Sequence, residues 1–202
     1  SVFLPWNLKS KIPSFDFMIA GFPCQTFSIV GQRKGFTDDR GQIIFGLTRL
    51  MKKKGVKYFI LENVKGLVHH DKGNSLKVIL NELDNAGFKV FYSVLNSINY
   101  GVPQMRERIY FVGIRKDVAP DNLKFEFPEP VVRPSLNNFL IDDDIDYVFD
   151  EKNSNYKTFI KYLNNKYNKG KYKIDDILKN DYIVLDTRQS DLRLYKDRVP
   201  TL

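Results

Sequence analysis

The stretch DFMIAGFPCQTFS, from Asp16 to Ser28, gives the strongest indication of the fold class of this chain. Its first half, residues 16–21, is a short apolar run that predicts a strand, and continuous apolarity is typical of a parallel strand covered on both faces. Gly21 predicts a turn where the strand ends. Cys24, the single cysteine of the chain, follows that turn. A lone cysteine is more often a small core residue than a nucleophile, so its position alone does not decide its role.

Outward from this strand, apolar residues recur with alternating strand and helix spacing. This alternation predicts a right-handed α/β sheet, and the short connection between the last two strands predicts that they pair antiparallel at one edge. Glycines stand where both helices are expected to stop. The predicted helices cover residues 41–54 and 74–86, and the later strands cover residues 56–63, 88–96 and 108–115.

Composition limits the classes of function. With 202 residues, 43% of them hydrophobic, the chain can bury one sizeable core and a smaller appendage. One cysteine excludes an internal disulfide and favours the reducing cytoplasm, and no apolar run approaches the roughly 20 residues that span a bilayer. A net charge of +8 favours a polyanion such as nucleic acid, although a lysine-rich solvated surface would carry the same charge.

The composition changes after about Pro128. The proline-bearing segment FPEPVVRP, residues 127–134, indicates a linker, and apolar residues at helical spacing between residues 156 and 167 predict one modest helix. We therefore divide the chain into residues 1–128 and residues 129–202.

Chemically capable side chains follow or precede the predicted strands. Cys24 follows the first strand, Glu62 ends the strand VKYFILEN, and Arg106 and Arg108 precede the strand IYFVGI. In an open α/β sheet, ligands bind beyond the carboxyl ends of the parallel strands, so Cys24 and Glu62 are expected at the same edge. Each residue alone is weak evidence, because charged groups at such positions are usually solvated or paired. The two histidines are adjacent in a polar turn without a cysteine cluster, so no metal site is predicted.

Four segments together resemble the central motifs of the cytosine-5 DNA methyltransferases, of the type found in bacterial restriction–modification systems. The resemblance is dense over residues 8–118 and thinner over residues 186–202. It implies an α/β fold: a partial Rossmann-like class I methyltransferase sheet in residues 1–128, then the beginning of a small target-recognition region. The segments are GFPCQTFS, GQRKGFTDDRG, ENV and QMRER, residues 21–28, 31–41, 62–64 and 104–108.

The resemblance implies methyl transfer from S-adenosyl-L-methionine to C5 of a cytosine flipped out of double-stranded DNA. Cytosine C5 is a poor nucleophile, and adding a thiolate to C6 makes it reactive. The resemblance assigns the thiolate to Cys24, and assigns to Glu62 the donation of a proton or hydrogen bond near ring N3. Arg108 resembles the arginine on the cytosine O2 side, and Arg106 resembles one that engages the phosphate backbone.

The resemblance also implies binding residues around these four. Pro23 and Ile43 correspond to positions beside the methyl donor. The glycine-punctuated segment after the cysteine is implied to close over the flipped base. Its implied DNA contacts are Gln25, Ser28, Arg33, Lys34 and Arg40.

The sequence departs from the family at the donor site. The glycine-rich strand-to-helix turn that precedes the cysteine strand, and the family's last two motifs, are not found in the 202 residues. We therefore expect these residues alone to be inactive, and to be completed by the remainder of the enzyme in cis or as a second chain. The expected location is the cytoplasm, in association with the nucleoid. Two alternatives stay open: a non-catalytic DNA-binding or complementing subunit of a split methyltransferase, and a tRNA cytosine-5 methyltransferase.

Overall fold

The chain divides into two compact units. The first comprises Ser1–Leu95 and Glu107–Pro128, and the second comprises Asn96–Arg106 and Glu129–Leu202. Residues 96–106 therefore belong to the second unit although they lie between two segments of the first. The composition of the sequence did not indicate this. The computed structural model that establishes this division describes residues 12–22, 43–140, 150–168, 170–179, 183–188 and 191–200.

The order of strands and helices predicted for the first unit is confirmed, and the boundaries differ from the expected ones by a residue or two. The helices of the described residues are α1 (Ile43–Lys54), α2 (Asn74–Asn85), α3 (Ser154–Leu163) and α4 (Ile174–Leu178). The strands are β1 (Phe17–Gly21), β2 (Tyr58–Val64), β3 (Phe88–Asn96), β4 (Gln104–Met105), β5 (Glu107–Arg115), β6 (Ile183–Asp186), β7 (Arg193–Lys196) and β8 (Val199–Pro200).

The first unit contains a four-stranded sheet in the order β1-β2-β5-β3. Strands β1 and β2 run parallel, with Gly21 opposite Glu62. Strand β5 runs antiparallel to β2, with Val64 opposite Arg108. Strand β3 is hydrogen-bonded to β5 at the sheet edge, so the two strands joined by the short connection are neighbours.

One face of this sheet packs against α1 and α2. Alternate strand residues, among them Met18, Phe59 and Phe111, are buried in one core with Ile44 of α1 and Ile79 of α2. Burial of a large apolar side chain contributes about 1.5–3 kcal/mol. This core therefore holds the strand ends, and the side chains on them, in fixed register.

Glycines end both helices, as predicted. Gly55 and Gly87 adopt left-handed φ values of 74° and 93°, a conformation that glycine reaches without steric cost. The helices are joined to each other by Thr48, whose buried hydroxyl donates to the carboxylate of Glu82 at 2.6 Å.

Within the described part of the chain, the other face of β1 is largely exposed, whereas a strand covered on both faces was expected. Phe17 is 49% exposed and Ile19 is 70% exposed, whereas Met18 between them is buried. The reason is that the described helices of the first unit, α1 and α2, contribute to a single core on the Met18 side. Gly21 also differs from expectation, because it stays within the strand, paired with Glu62, and does not adopt a left-handed turn conformation.

The second unit has a small core of its own around Phe159, Ile177 and Leu192. Strands β6 and β7 form an antiparallel pair, and β4 pairs with β8 in parallel. The predicted helix is α3, which stops at Leu163 instead of continuing to residue 167. It starts after Asn153, whose side-chain oxygen accepts the N–H of Asn155 at 2.8 Å and so caps the helix.

Within the described part of the chain, none of the helices has the length and apolarity needed to cross a bilayer. The same residues contain no group of three or more His, Cys, Asp or Glu side chains arranged to hold a metal ion.

Candidate active site

Three strand ends meet at one edge of the sheet in the first unit. Strands β1 and β2 are parallel and finish at this edge, with Gly21 and Val64. Strand β5 is antiparallel to β2 and therefore begins there, with Glu107 and Arg108. This is the edge at which α/β sheets bind their ligands. Of the predicted site residues, the structure brings Glu62 and Arg108 together here.

Glu62 and Arg108 form an ion pair in which Nε of Arg108 lies 2.9 Å from Oε1 of Glu62. The strand register produces this contact, because Arg108 lies opposite Val64 and reaches diagonally to the residue two positions away on the same face. The side chain of Arg108 is 16% exposed and that of Glu62 is 32% exposed. The pair is thus partly withdrawn from water, where an ion pair is stronger than at a fully solvated surface.

The guanidinium of Arg108 is held on a second side. Its Nη1 donates to the backbone carbonyl of Glu107 at 2.8 Å. Glu107 in turn pairs with Lys65, whose Nζ lies 2.8 Å from Oε1, with both side chains more than 40% exposed. Arg108 is therefore oriented by backbone and carboxylate together, and Glu107 belongs to a separate, solvated pair.

Gly21 gives the Glu62 carboxylate its space. A Cβ placed on Gly21 would lie 3.3 Å from Oε2 of Glu62, tighter than nine in ten contacts of real Cβ atoms. The next residue, Phe22, donates its backbone N–H to the carbonyl of Glu62 at 3.3 Å. Gly21 was predicted as a turn residue, and this role beside Glu62 was not expected. The position of Gly21 within an apolar strand could have indicated it, because a glycine inside a strand often marks a place where another group comes close to the backbone.

Arg106 belongs to the second unit. Its backbone N–H donates to Oδ1 of Asn96 at 3.2 Å, and its carbonyl accepts the N–H of Ser97 at 3.1 Å. The hydroxyl of Ser97 also donates to the carbonyl of Gln104 at 2.6 Å. The segment Asn96–Arg106 is therefore closed by its own hydrogen bonds, which position the backbone of Arg106.

Most of the remaining predicted site residues lie outside the described residues. Ile43, assigned to the donor site, is described: it is the first residue of α1, and its half-buried side chain packs against the core. The others, for which the structure gives no description, are Pro23, Cys24, Gln25, Ser28, Arg33, Lys34 and Arg40.

The described part of the first unit is thus an open α/β sheet with an arginine–carboxylate pair at the edge where such sheets bind their ligands. The family model for C-5 cytosine-specific DNA methylases matches residues 6–197, nearly the whole chain. The chain therefore belongs to the C-5 cytosine-specific DNA methylase family, which confirms the resemblance carried by the four sequence motifs.

Curated relatives agree with this membership. The chain is 47% identical over 137 residues to the type II methyltransferase M.HaeII of Haemophilus aegyptius, a match that covers 67% of this chain and 42% of that protein. It is 44% identical over 134 residues to the type II methyltransferase M.HhaI of Haemophilus parahaemolyticus, covering 66% of this chain and 39% of that protein. The chain thus spans about two fifths of the length of these relatives.

Solved structures of similar proteins include a putative DNA modification methyltransferase encoded within an E. coli prophage, with a TM-score of 0.49 and 23% identity over 68% of this chain and 38% of that one. A mutant of Spodoptera frugiperda DNMT2 matches with a TM-score of 0.47 and 25% identity over 63% of this chain and 40% of that one.

Proposed function

We propose that this chain carries the catalytic part of a DNA (cytosine-5-)-methyltransferase that acts through a covalent adduct of Cys24. The observation that carries the proposal is the Glu62–Arg108 pair at the edge where β1 leads toward the cysteine. Only Pro23 separates Phe22 from Cys24 in the sequence, so chain geometry limits the distance between the Cα atoms of Phe22 and Cys24 to about 8 Å. Phe22 donates its backbone N–H to the backbone carbonyl of Glu62, so the segment that leads to Cys24 starts beside β2, which supports a role for the thiol at this edge.

The residue types fit the chemistry of cytosine. The thiolate of Cys24 would add to ring C6, which converts C5 into an enamine carbon able to attack a methyl group. A cysteine thiol has a pKa of about 8.5, so a nearby cation assists its ionisation, and Arg108 supplies a positive charge at this edge. After methyl transfer, removal of the C5 proton allows the thiolate to leave and restores the aromatic ring.

Glu62 is suited to the negative charge that develops on the ring. Thiolate addition builds negative charge toward N3, where a protonated carboxyl group can donate a proton or a hydrogen bond. The carboxylate that pairs with Arg108 would therefore take up a proton from solvent before this step. Its diagonal contact with Arg108 and the space left by Gly21 hold the carboxyl group at the edge. Arg108 is proposed to contact the O2 side of the ring from its two-sided anchorage on Glu62 and the Glu107 carbonyl.

The methyl donor is proposed to be S-adenosyl-L-methionine, which supplies an electrophilic methyl group on a sulfonium. Of the two residues assigned to its site, Ile43 offers a half-buried apolar side chain. Neither Ile43 nor Pro23 has a side chain that can donate or accept a hydrogen bond, and a bound nucleoside also needs convergent polar groups. These two residues therefore account for part of a donor site, and we propose that the remainder of the enzyme, in cis or as a second chain, completes it.

The proposed substrate is double-stranded DNA, with the target cytosine flipped out because its ring face is inaccessible inside the stack. A net charge of +8 supports a polyanionic partner. Arg106, with its ordered backbone, is proposed to engage the phosphate backbone. Further contacts are proposed from Gln25, Ser28, Arg33, Lys34 and Arg40.

Covalent trapping tests the role of Cys24. DNA with 5-fluorocytosine at the target should accumulate an adduct that survives denaturing electrophoresis, because fluorine cannot leave C5 as a proton does. The assay uses the complete enzyme, and Cys24→Ser should give no adduct. An equal adduct yield from Cys24→Ser would refute the assignment.

A matched pair of substitutions tests Glu62. Glu62→Gln keeps the shape of the side chain but cannot deliver a proton, so methyl transfer should fall by about 10²-fold or more while duplex binding changes little. Glu107→Gln makes the same chemical change on an exposed carboxylate paired with Lys65, and should leave turnover near that of the wild type. Comparable turnover in the two variants would remove Glu62 from the mechanism.

A further inference from the structure

The second unit contains a cavity of about 350 Å³ whose rim is strongly basic. All of its lining residues are described and all belong to this unit. A volume of this size lies at the lower end of small-ligand pockets. Four cationic side chains line it: Lys171, Lys173, Lys196 and Arg198.

Three of the other residues that line the cavity have aromatic or aliphatic side chains: Tyr172, Ile177 and Leu194. One carboxylate, that of Asp176, also lines it, and its Oδ1 is paired with Nζ of Lys179 at 3.2 Å. The cavity therefore combines a marked excess of positive charge with a surface on which an apolar group can rest. That combination suits a phosphate carried on a sugar better than it suits an isolated inorganic anion.

The loop that carries two of the lysines is held by a buried side chain. Asn168 is 5% exposed, and its Oδ1 accepts the N–H of Tyr172 at 3.1 Å while its Nδ2 donates to the Tyr172 carbonyl at 3.3 Å. The N–H of Lys171 donates to the carbonyl of Asn168 at 2.8 Å. Hydrogen bonds thus fix the backbone at Lys171 and Tyr172, so less conformational entropy is lost when the lysines engage a ligand.

Arg198 differs from the three lysines of the cavity in having a buried side-chain nitrogen, Nε, without a hydrogen-bond partner among the described residues. The neighbouring carboxylate of Asp197 is occupied elsewhere, since it accepts the hydroxyl of Ser135 at 2.9 Å and the N–H of Leu136 at 2.7 Å. Buried donors are costly when they lack an acceptor. Arg198 lines the cavity with the three lysines and so adds positive charge beside an anion bound there.

We propose that this cavity, lined by Lys171, Lys173, Lys196 and Arg198, binds one phosphodiester group of duplex DNA. The inference rests on the proposed function, because it takes DNA as the substrate, and it adds a backbone contact in a part of the chain outside the four sequence motifs. A phosphate contact orients a protein on the duplex without reading sequence. Its removal therefore weakens binding to all duplexes by the same factor.

The test compares two double variants that lose the same charge. Lys173→Gln/Lys196→Gln removes two exposed cations of the cavity, and Lys157→Gln/Lys161→Gln removes two exposed cations from α3, outside the cavity lining. Duplex binding is measured by fluorescence anisotropy between about 0.05 and 0.3 M KCl. The slope of log K against log salt should become shallower by about 0.9 in the cavity variant, equivalent to about eightfold weaker binding at 0.1 M, and stay unchanged in the α3 variant.

Two further measurements separate the possible outcomes. Free deoxycytidine monophosphate, titrated by calorimetry, should bind the wild type no more tightly than about millimolar, since it offers one phosphate without the rest of the duplex. Equal slopes in the two double variants, or mononucleotide binding at micromolar levels with unchanged duplex slopes, would overturn the proposal. If the cavity variant loses its far-ultraviolet circular dichroism, the single variants Lys173→Gln and Lys196→Gln provide the same comparison.

The outcomes also distinguish this inference from the proposed function. Equal slopes together with normal methylation of duplex DNA by the complete enzyme would refute the cavity alone. Absence of duplex binding and of methylation in the wild type would refute both.

Discussion

The Glu62–Arg108 pair should contribute measurably to the stability of the first unit, and a double-mutant cycle can isolate its energy. The perturbations are Glu62→Gln and Arg108→Met, which remove each charge while keeping much of the side-chain volume. The double variant removes both charges, so the cycle separates their mutual interaction from the effect of each substitution alone.

The geometry sets the expected size of the coupling. With Nε and Oε1 2.9 Å apart, the charge centres are about 4 Å apart, which corresponds to roughly 4 kcal/mol of attraction at an effective dielectric constant of about 20. Desolvation offsets part of this attraction, because both side chains are largely removed from water: Arg108 is only 16% exposed and Glu62 only 32% exposed. Solvated pairs give about 0.2–1 kcal/mol. We expect a coupling of about 1–2 kcal/mol, above that range because the pair is partly buried.

The single substitutions should be unequal. Arg108→Met leaves the Glu62 carboxylate without its cation and should lower the free energy of unfolding by about 2 kcal/mol. Glu62→Gln keeps an oxygen that can accept from Nε of Arg108, so the loss should be about 1 kcal/mol. Urea unfolding of the four proteins, followed by circular dichroism with equal m-values, supplies the cycle. A coupling below about 0.3 kcal/mol would show that the contact is screened by solvent and does not hold the carboxylate.

Three further predictions follow from other contacts. Gly113→Ala should lower the free energy of unfolding by about 3 kcal/mol, because the new Cβ would lie 2.1 Å from the fully buried ring of Phe59. The matched Gly46→Ala in α1, with nothing within 4 Å of the new Cβ, should raise it by about 0.5–1 kcal/mol; a destabilised Gly46→Ala would contradict the packing described for α1. Hydrogen bonds from Arg188 hold the pKa of Asp186 below its usual value, so its ionised form stabilises the fold above a pH of about 4, and that stabilisation is lost as the pH falls through the lowered pKa. Asp186→Asn should therefore lower the melting temperature at neutral pH, and the difference from wild type should shrink steadily below pH about 4; a gap that stays constant down to pH about 2 would exclude the ionised pair as its cause. Finally, calorimetry on the isolated 202 residues should detect no binding of S-adenosyl-L-methionine at roughly micromolar levels, since each 1.4 kcal/mol lost from an incomplete pocket weakens binding about tenfold; micromolar binding would show that the donor site has been misplaced.

The order and type of the helices and strands in the first unit could be predicted from the amino-acid sequence alone. Periodicity is a local property: whether a segment buries one stripe or alternates its side chains depends on near neighbours, so residues 43–54 and 74–85 could be recognised as helices without their partners. The helix ends at Gly55 and Gly87 could also be predicted, because a left-handed φ favours glycine at the single residue that adopts it. The motif ENV placed Glu62 at a strand end for the same local reason.

Which side chains meet could not be predicted from the sequence, because it depends on how distant segments of the chain pack together. The contact between Glu62 and Arg108 depends on the register of two antiparallel strands, and a shift of one residue would turn every side chain of β5 to the other face. The close approach between Gly21 and the Glu62 carboxylate arises because β1 pairs with β2. The residues of β1 alone do not predict it. Likewise, the basic cavity joins Lys171 and Lys173 to Lys196 and Arg198 from a separate strand region. Such contacts depend on how distant segments of the chain pack against each other. The free energy of this packing comes from contacts throughout the core, so no short stretch of sequence predicts it.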